Sequence, residues 1–185
     1  MKVLFQWIVA GGLLAGMAQQ LSQPPKPGPG HRKLQLWTGE WTYEGENYTS
    51  FLGPAGKFTG KETAHPIMDG FGLESVFVER GPTGETRYVE IDGCDPAAKN
   101  YPYIMIYNNG DLSQGAFTVT GTVAKWEGIS VMEGKPFHDR GTDTVSPDGM
   151  SYSKSGEVSQ DGKTWVPWFT LHATKVKPAP AGKAK

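Results

Sequence analysis

The sequence predicts an all-β domain, folded as a closed, antiparallel, up-and-down β-barrel of about ten strands. Turn chemistry recurs about every 8–14 residues along the central region, the rhythm of a sandwich or barrel of short strands. The runs between the turns are rich in Thr, Tyr, Val, Phe and Trp and alternate in polarity, as antiparallel strands with one buried face do. Strands so numerous in a modest domain leave exposed edges unless the sheet closes on itself, and closure removes them.

The elements follow in chain order. Met1-Lys2 is a basic start, Val3 to Leu14 an apolar run, and Gly16-Met17-Ala18 places small residues at a cleavage site, so residues 1–18 read as a secretory signal peptide. The mature protein is therefore expected to be exported, either periplasmic or secreted. A membrane anchor needs about 20 uninterrupted apolar residues. Gln6 interrupts this run and Gln19-Gln20 close it, so no stable membrane insertion of the mature chain is expected. Residues 19–30 form a flexible Pro- and Gly-rich leader, residues 31–176 the barrel domain, and residues 177–185 a disordered basic tail. One helical turn is expected at His31 to Leu36, leading into Trp37; His31 has no evident partner. Gly53-Pro54-Ala55-Gly56, Gly81-Pro82-Thr83-Gly84, Asp95-Pro96, Asn108-Asn109-Gly110, Pro147-Asp148-Gly149 and Asp161-Gly162 then punctuate the strands.

Alternation assigns side chains to faces. Phe58, Gly60 and Glu62 share one face against Lys57, Thr59 and Lys61. Tyr88 and Glu90 oppose Val89 and Ile91. Near the chain end, Phe169, Leu171 and Ala173 form the inner face, and Trp168, Thr170, His172 and Thr174 the outer one. Aromatic residues recur through these runs, and Phe58, Phe77, Tyr103 and Phe169 are candidates to line a ligand cavity. Aromatics equally serve to fill a barrel.

Several function classes drop out. A formal net charge of −1 gives no basis for binding nucleic acid or an anionic membrane. The single cysteine, Cys94, cannot form an internal disulfide and reads as a small buried hydrophobe. No histidine pair or second cysteine has metal-ligand spacing, so no metal site is expected. No nucleophile elbow or Gly-rich phosphate loop occurs, so no catalytic residue and no cofactor are assigned. Glu44 and Glu46 share a face of the first strand and Glu62 lies on the next; a solvated outer face is the expected setting for the first pair.

The stretch Gly39-Glu40-Trp41 resembles the G-x-W start of lipocalins, fatty-acid-binding proteins, avidins and nitrobindin-like haem barrels. In those barrels the Trp caps one end and a basic residue of the last strand lies on its face. The resemblance implies a barrel-end plug of Gly39, Trp41 and Lys175. The segments "HRKLQLWTGEWTYEGE", "GCDPAAKNYPYIMIYNNG" and "SQDGKTWVPWFTLHATKV" together resemble a bacterial family of exported, lipocalin-like domains of unknown function, over residues 31–176. That resemblance implies a calycin-like barrel and no established reaction. Cys94 departs from it at a position often aromatic, and His172 at a strand that usually carries no histidine. In nitrobindin-like barrels a histidine near the chain end ligates haem iron, which makes His172 a candidate, although alternation turns it outward.

The reading that results is an exported, non-enzymatic binder of a small apolar or amphipathic molecule. A filled barrel acting through its outer surface, and a haem-binding or hydrolytic barrel enzyme, are the alternatives. The sequence sets no oligomeric state.

Overall fold

The computed structural model describes residues 25–177. The expected signal peptide, the first part of the expected leader and nearly all of the expected basic tail lie outside the described residues. Among the described residues no helix is long and apolar enough to cross a membrane.

Helix α1 (Pro29–Lys33) runs directly into a 3₁₀ turn at Leu34–Leu36. The helical segment thus begins two residues earlier than expected, with Pro29 in the first turn, where its missing N–H leaves no hydrogen bond unmade. His31 also has partners after all. Its Nδ1 accepts the Gly28 backbone N–H at 3.1 Å, and its ring meets Phe71 edge-on at 5.0 Å.

Ten strands follow: β1 (Gly39–Asn47), β2 (Gly56–Ile67), β3 (Gly72–Gly81), β4 (Gly84–Asp92), β5 (Tyr101–Tyr107), β6 (Leu112–Thr120), β7 (Val123–Met132), β8 (Lys135–Val145), β9 (Ser151–Ser159) and β10 (Val166–Lys175). Each pairs antiparallel with its sequence neighbours, and β1 pairs with β10 to close the barrel. The all-β, up-and-down class expected from turn spacing and alternation is the class observed. The connections β1–β2, β3–β4, β5–β6, β7–β8 and β9–β10 share one end of the barrel. Helix α1 and its 3₁₀ extension enter at the other, where Leu34 and Trp37 are buried against the core.

Inside the barrel, glycine makes room for rings. A Cβ on Gly60 would collide with the Tyr43 ring, on Gly141 with the Trp126 ring, and on Gly128 with the Tyr103 hydroxyl. Each of these glycines is a notch in which an aromatic from another strand lies, the small-against-large alternation that tapers small barrels.

From β3 to β7 the inner face mixes aromatic and aliphatic with acidic and serine side chains, while several aliphatics lie on the outer face. On β4, Tyr88 and Glu90 face inward and Asp92 is buried, whereas Ile91 is exposed on the outside. The outward set continues across the sheet as a cross-strand row: Val76 opposite Val89, Val89 opposite Ile106, Ile106 opposite Leu112 and Leu112 opposite Val131. The inward positions between these aliphatics carry Ser75, Ser113 and Ser130, all buried. Alternation identifies two faces; which one is interior depends on closure, and here the interior combines aromatic with buried polar side chains.

The notch argument is testable. Gly141→Ala should cost about 1–3 kcal/mol, the usual penalty of overpacking, because its methyl would meet both the Trp126 ring and the Ser155 carbonyl oxygen. Gly93→Ala, whose methyl would find Pro102 Cγ at an ordinary 3.5 Å, should change stability by less than about 0.5 kcal/mol. Urea unfolding of both variants compares them; equal costs would contradict the packing account.

Candidate functional site

The interior encloses a cavity of about 380 Å³. Its lining runs from Trp37 at the helix-capped end to Leu52, Thr83, Asn109 and Met132 beside the turns at the other. The four residues singled out as candidate lining, Phe58, Phe77, Tyr103 and Phe169, all contribute to this wall. Phe58 meets the Phe169 ring edge-on at 6.5 Å. Phe77 stacks on Tyr88 at 4.4 Å, and Tyr107 lies 5.0 Å beyond Tyr88.

The helix-capped end is shut by Trp41, which is 1% exposed. Its Nε1 donates to the Trp37 carbonyl oxygen at 2.7 Å, and Lys175 Nζ sits 4.8 Å from its ring centroid. Gly39 is required twice over: its φ of +136° suits glycine alone, and a Cβ there would strike the Lys175 side chain. Trp41 also packs edge-on against Tyr152 at 5.0 Å, and the Tyr152 hydroxyl donates to Glu62. A chain of contacts therefore leads from the plug into the cavity wall.

The other residues raised by the sequence lie elsewhere. His172 is exposed on the outer face of β10, where its Nδ1 lies 3.3 Å from Ser153 Oγ. It cannot reach an iron inside the barrel, because the pleat turns Leu171 and Ala173 inward instead. Glu44 and Glu46 also face outward, while Glu62 is 3% exposed and points inside. Trp168, assigned by alternation to the outer face, lines the cavity next to Phe169. A β-bulge between Pro167 and Phe169 shifts the register and re-aims it. Cys94 is half-buried in the β4–β5 connection.

What the sequence reading missed is a set of inward carboxylates. Glu62, Glu79, Glu90, Asp92, Asp139 and Asp143 all line the cavity, and Lys154 is the sole basic side chain there among the described residues. Lys154 Nζ lies 3.5 Å from Asp143, whose other oxygen accepts Trp126 Nε1–H at 2.9 Å. Asp139 accepts hydrogen bonds from Ser130 and, at 3.4 Å, from Tyr103. Asp92 is 6% exposed, and its Oδ1 has no hydrogen-bond partner. A usable signal existed in the alternation, since Glu62 shares a face with Phe58, and Glu90 with Tyr88.

Burial governs the protonation of these groups. Desolvation raises Glu62 from the usual 4.5 to about 7, against the opposing hydrogen bond from Tyr152. It raises Glu79 to about 7 as well, against the Tyr43 hydroxyl. Glu90 and Asp92, two residues apart on one face of β4, are both raised, first by desolvation; the Glu90 charge pushes Asp92 higher still. Asp139 and Asp143 move the same way, chiefly through burial. For Lys154 desolvation alone would favour the neutral amine, yet the surrounding carboxylates hold it protonated, Asp143 foremost.

A carboxylate raised on folding binds more protons in the folded than in the unfolded chain between the two pKa values. Its contribution to stability is then greatest at low pH and falls as pH rises through the folded value. For Glu62 and Glu79 that window runs from 4.5 to about 7, and the other four carboxylates share the sign. The melting temperature should therefore drop between pH 5 and pH 8, by about 2–4 °C for each kcal/mol lost. Glu62→Gln should reduce the drop. Calorimetric scans at the two pH values check this; a melting point that stays level or rises would show that the carboxylates are not buried as described.

Comparison with known proteins places this geometry in context. The family DUF1579, described as a protein of unknown function, matches residues 26–165. No curated protein matches the sequence. Among solved structures, Rv2717c from M. tuberculosis is similar with a TM-score of 0.59 at 13% identity, over 81% of this chain and 99% of that one. The S-type phycobiliprotein lyase CPES from Guillardia theta is similar with a TM-score of 0.44 at 8% identity, over 83% of this chain and 100% of that one. At such identity the likeness to Rv2717c is one of fold alone. The chain is a member of the DUF1579 family.

Proposed function

We propose that this protein is an exported, non-enzymatic carrier that holds a small amphipathic molecule inside its barrel. The observation that supports this reading is the cavity itself. A void of about 380 Å³ lies in the size range of small-molecule sites, and it combines aromatic walls with buried polar groups. A barrel that acted only through its outer surface would gain stability by filling that space with aliphatic side chains. An iron-binding role through His172 lacks the geometry, since that side chain lies outside. Export rests on the N-terminal signal pattern and is part of the same proposal.

Native mass spectrometry on mature protein recovered gently from its own cell envelope tests the reading. The expected outcome is a reproducible extra mass of roughly a few hundred daltons over the denatured chain, with residues 1–18 removed. A bare mass from fresh preparations would move the weight to an interaction protein, and a retained signal segment would contradict export.

A further inference from the structure

A cavity lined by Glu62, Glu79, Glu90, Asp92, Asp139 and Asp143, with Asp111 beside the turns, is poorly suited to an apolar ligand, and Lys154 alone cannot balance these acids once they ionise. Lys154 is the one base that lines it, and Lys154 is already paired with Asp143. Asp139 is served by Ser130 and Tyr103, and Glu62 by Tyr152. That leaves Glu79, beside the Tyr43 hydroxyl, and the pair Glu90 and Asp92, adjacent on the inner face of β4 and outside direct ion-pair contact with Lys154. Asp92 is the sharper case. Its side chain is more than nine-tenths buried and lines the cavity, and one of its oxygens meets no donor in the protein. A buried acceptor left in that condition costs free energy that a ligand donor would recover.

The wall next to this pair is aromatic. Tyr88, two residues before Glu90, stacks on Phe77 at 4.4 Å and packs against Tyr107 at 5.0 Å. Acidic groups beside a cluster of ring faces are what an organic cation requires: carboxylates for its N–H donors and π-faces for its charge-bearing carbons. A bare metal ion is a worse fit. Among the described residues no group of three His, Cys, Asp or Glu side chains is placed to hold one.

Building on the carrier reading, we propose that the cavity selects an organic cation, an amine bearing an aromatic or alkyl group. Its ammonium head sits against Glu90 and Asp92, and its apolar part lies along Phe77, Tyr88 and Tyr107. Such a ligand gives Asp92 the donor it lacks. A neutral molecule of the same shape leaves the two acids uncompensated, and an anion is repelled.

The test uses the full mature protein and three size-matched probes: 2-phenylethylamine, 2-phenylethanol and 3-phenylpropionate. Isothermal titration at pH 8 should show the amine binding about tenfold or more tighter than the alcohol, with no binding of the acid. Asp92→Asn should reduce amine affinity about tenfold and leave alcohol affinity unchanged. Glu90→Gln is the second variant, and thermal melts establish that both are folded. An alcohol that binds as tightly as the amine would overturn the cation assignment and leave the carrier reading intact. So would a captured native ligand that lacks a basic nitrogen. If none of the probes binds and the native mass is also bare, both readings fall together. A captured ligand with a basic nitrogen supports the assignment even where the small probes bind weakly.

Discussion

Pairing of β1 with β10 is the constraint on which the rest of this molecule depends. Once the sheet closes, every strand has a neighbour on both sides, and each side chain lies either in the lumen or in contact with solvent. The two-residue period then fixes which side chains of each strand point inward, without further choice. Trp41 sits at the seam itself. It belongs to β1, lies opposite Lys175 of β10 and Glu62 of β2, and carries the Lys175 ammonium over its ring. Closure and the sealed end are thus set by the same few residues.

Fold class and interior were unequally legible in the sequence. Asp-Gly and Asn-Gly turns and the alternating runs marked the strands, because positive φ and pleat geometry leave direct traces in residue type. On β2 and β10 the inner face was also readable, since Phe58, Phe169 and Leu171 sit where apolar residues are expected. On β4 alternation separated Tyr88 and Glu90 from Val89 and Ile91 without choosing the inner face, and the barrel takes in Tyr88, Glu90 and Asp92. Trp168 was assigned to the wrong face, since a bulge breaks the period that alternation assumes. The candidate aromatics were found from strand patterns; the acidic groups were not, because a carboxylate is read as solvent-facing unless something identifies the lumen as polar.

That polarity has an energetic consequence. Taking an ionised carboxylate out of water costs several kcal/mol unless it is paired, and one lysine cannot pair six. The pKa values of these inward acids rise in response, and a cation brought among them, as Lys154 already is, favours their ionised form. Serine and tyrosine hydroxyls supply part of what the carboxyls need. Ser113 and Ser130 bond to each other at 2.7 Å, and Ser130 continues to Asp139. The lumen is therefore a hydrogen-bonded polar network, and in a low dielectric its unpaired members matter more than its satisfied ones.

The void is a matter of phase, not of missing material. Ile104, Ile106, Leu112 and Ile129 are all more than a third exposed on the outer face, while serine and glycine occupy inward positions on the same strands or their neighbours. Shifting these strands by one residue would turn the aliphatics inward and exchange the two faces. The register instead keeps bulky aliphatics outside and small or acidic side chains within, a choice that forgoes apolar burial worth about 1.5–3 kcal/mol for each large side chain. An interior with the small side chains Ser75, Ser113 and Ser130 on the cavity wall, and with aromatic rings seated in glycine notches around it, leaves the cavity open. Stability is given up at the positions that define the cavity, which is where a binding site, unlike a core, requires the chain to leave room.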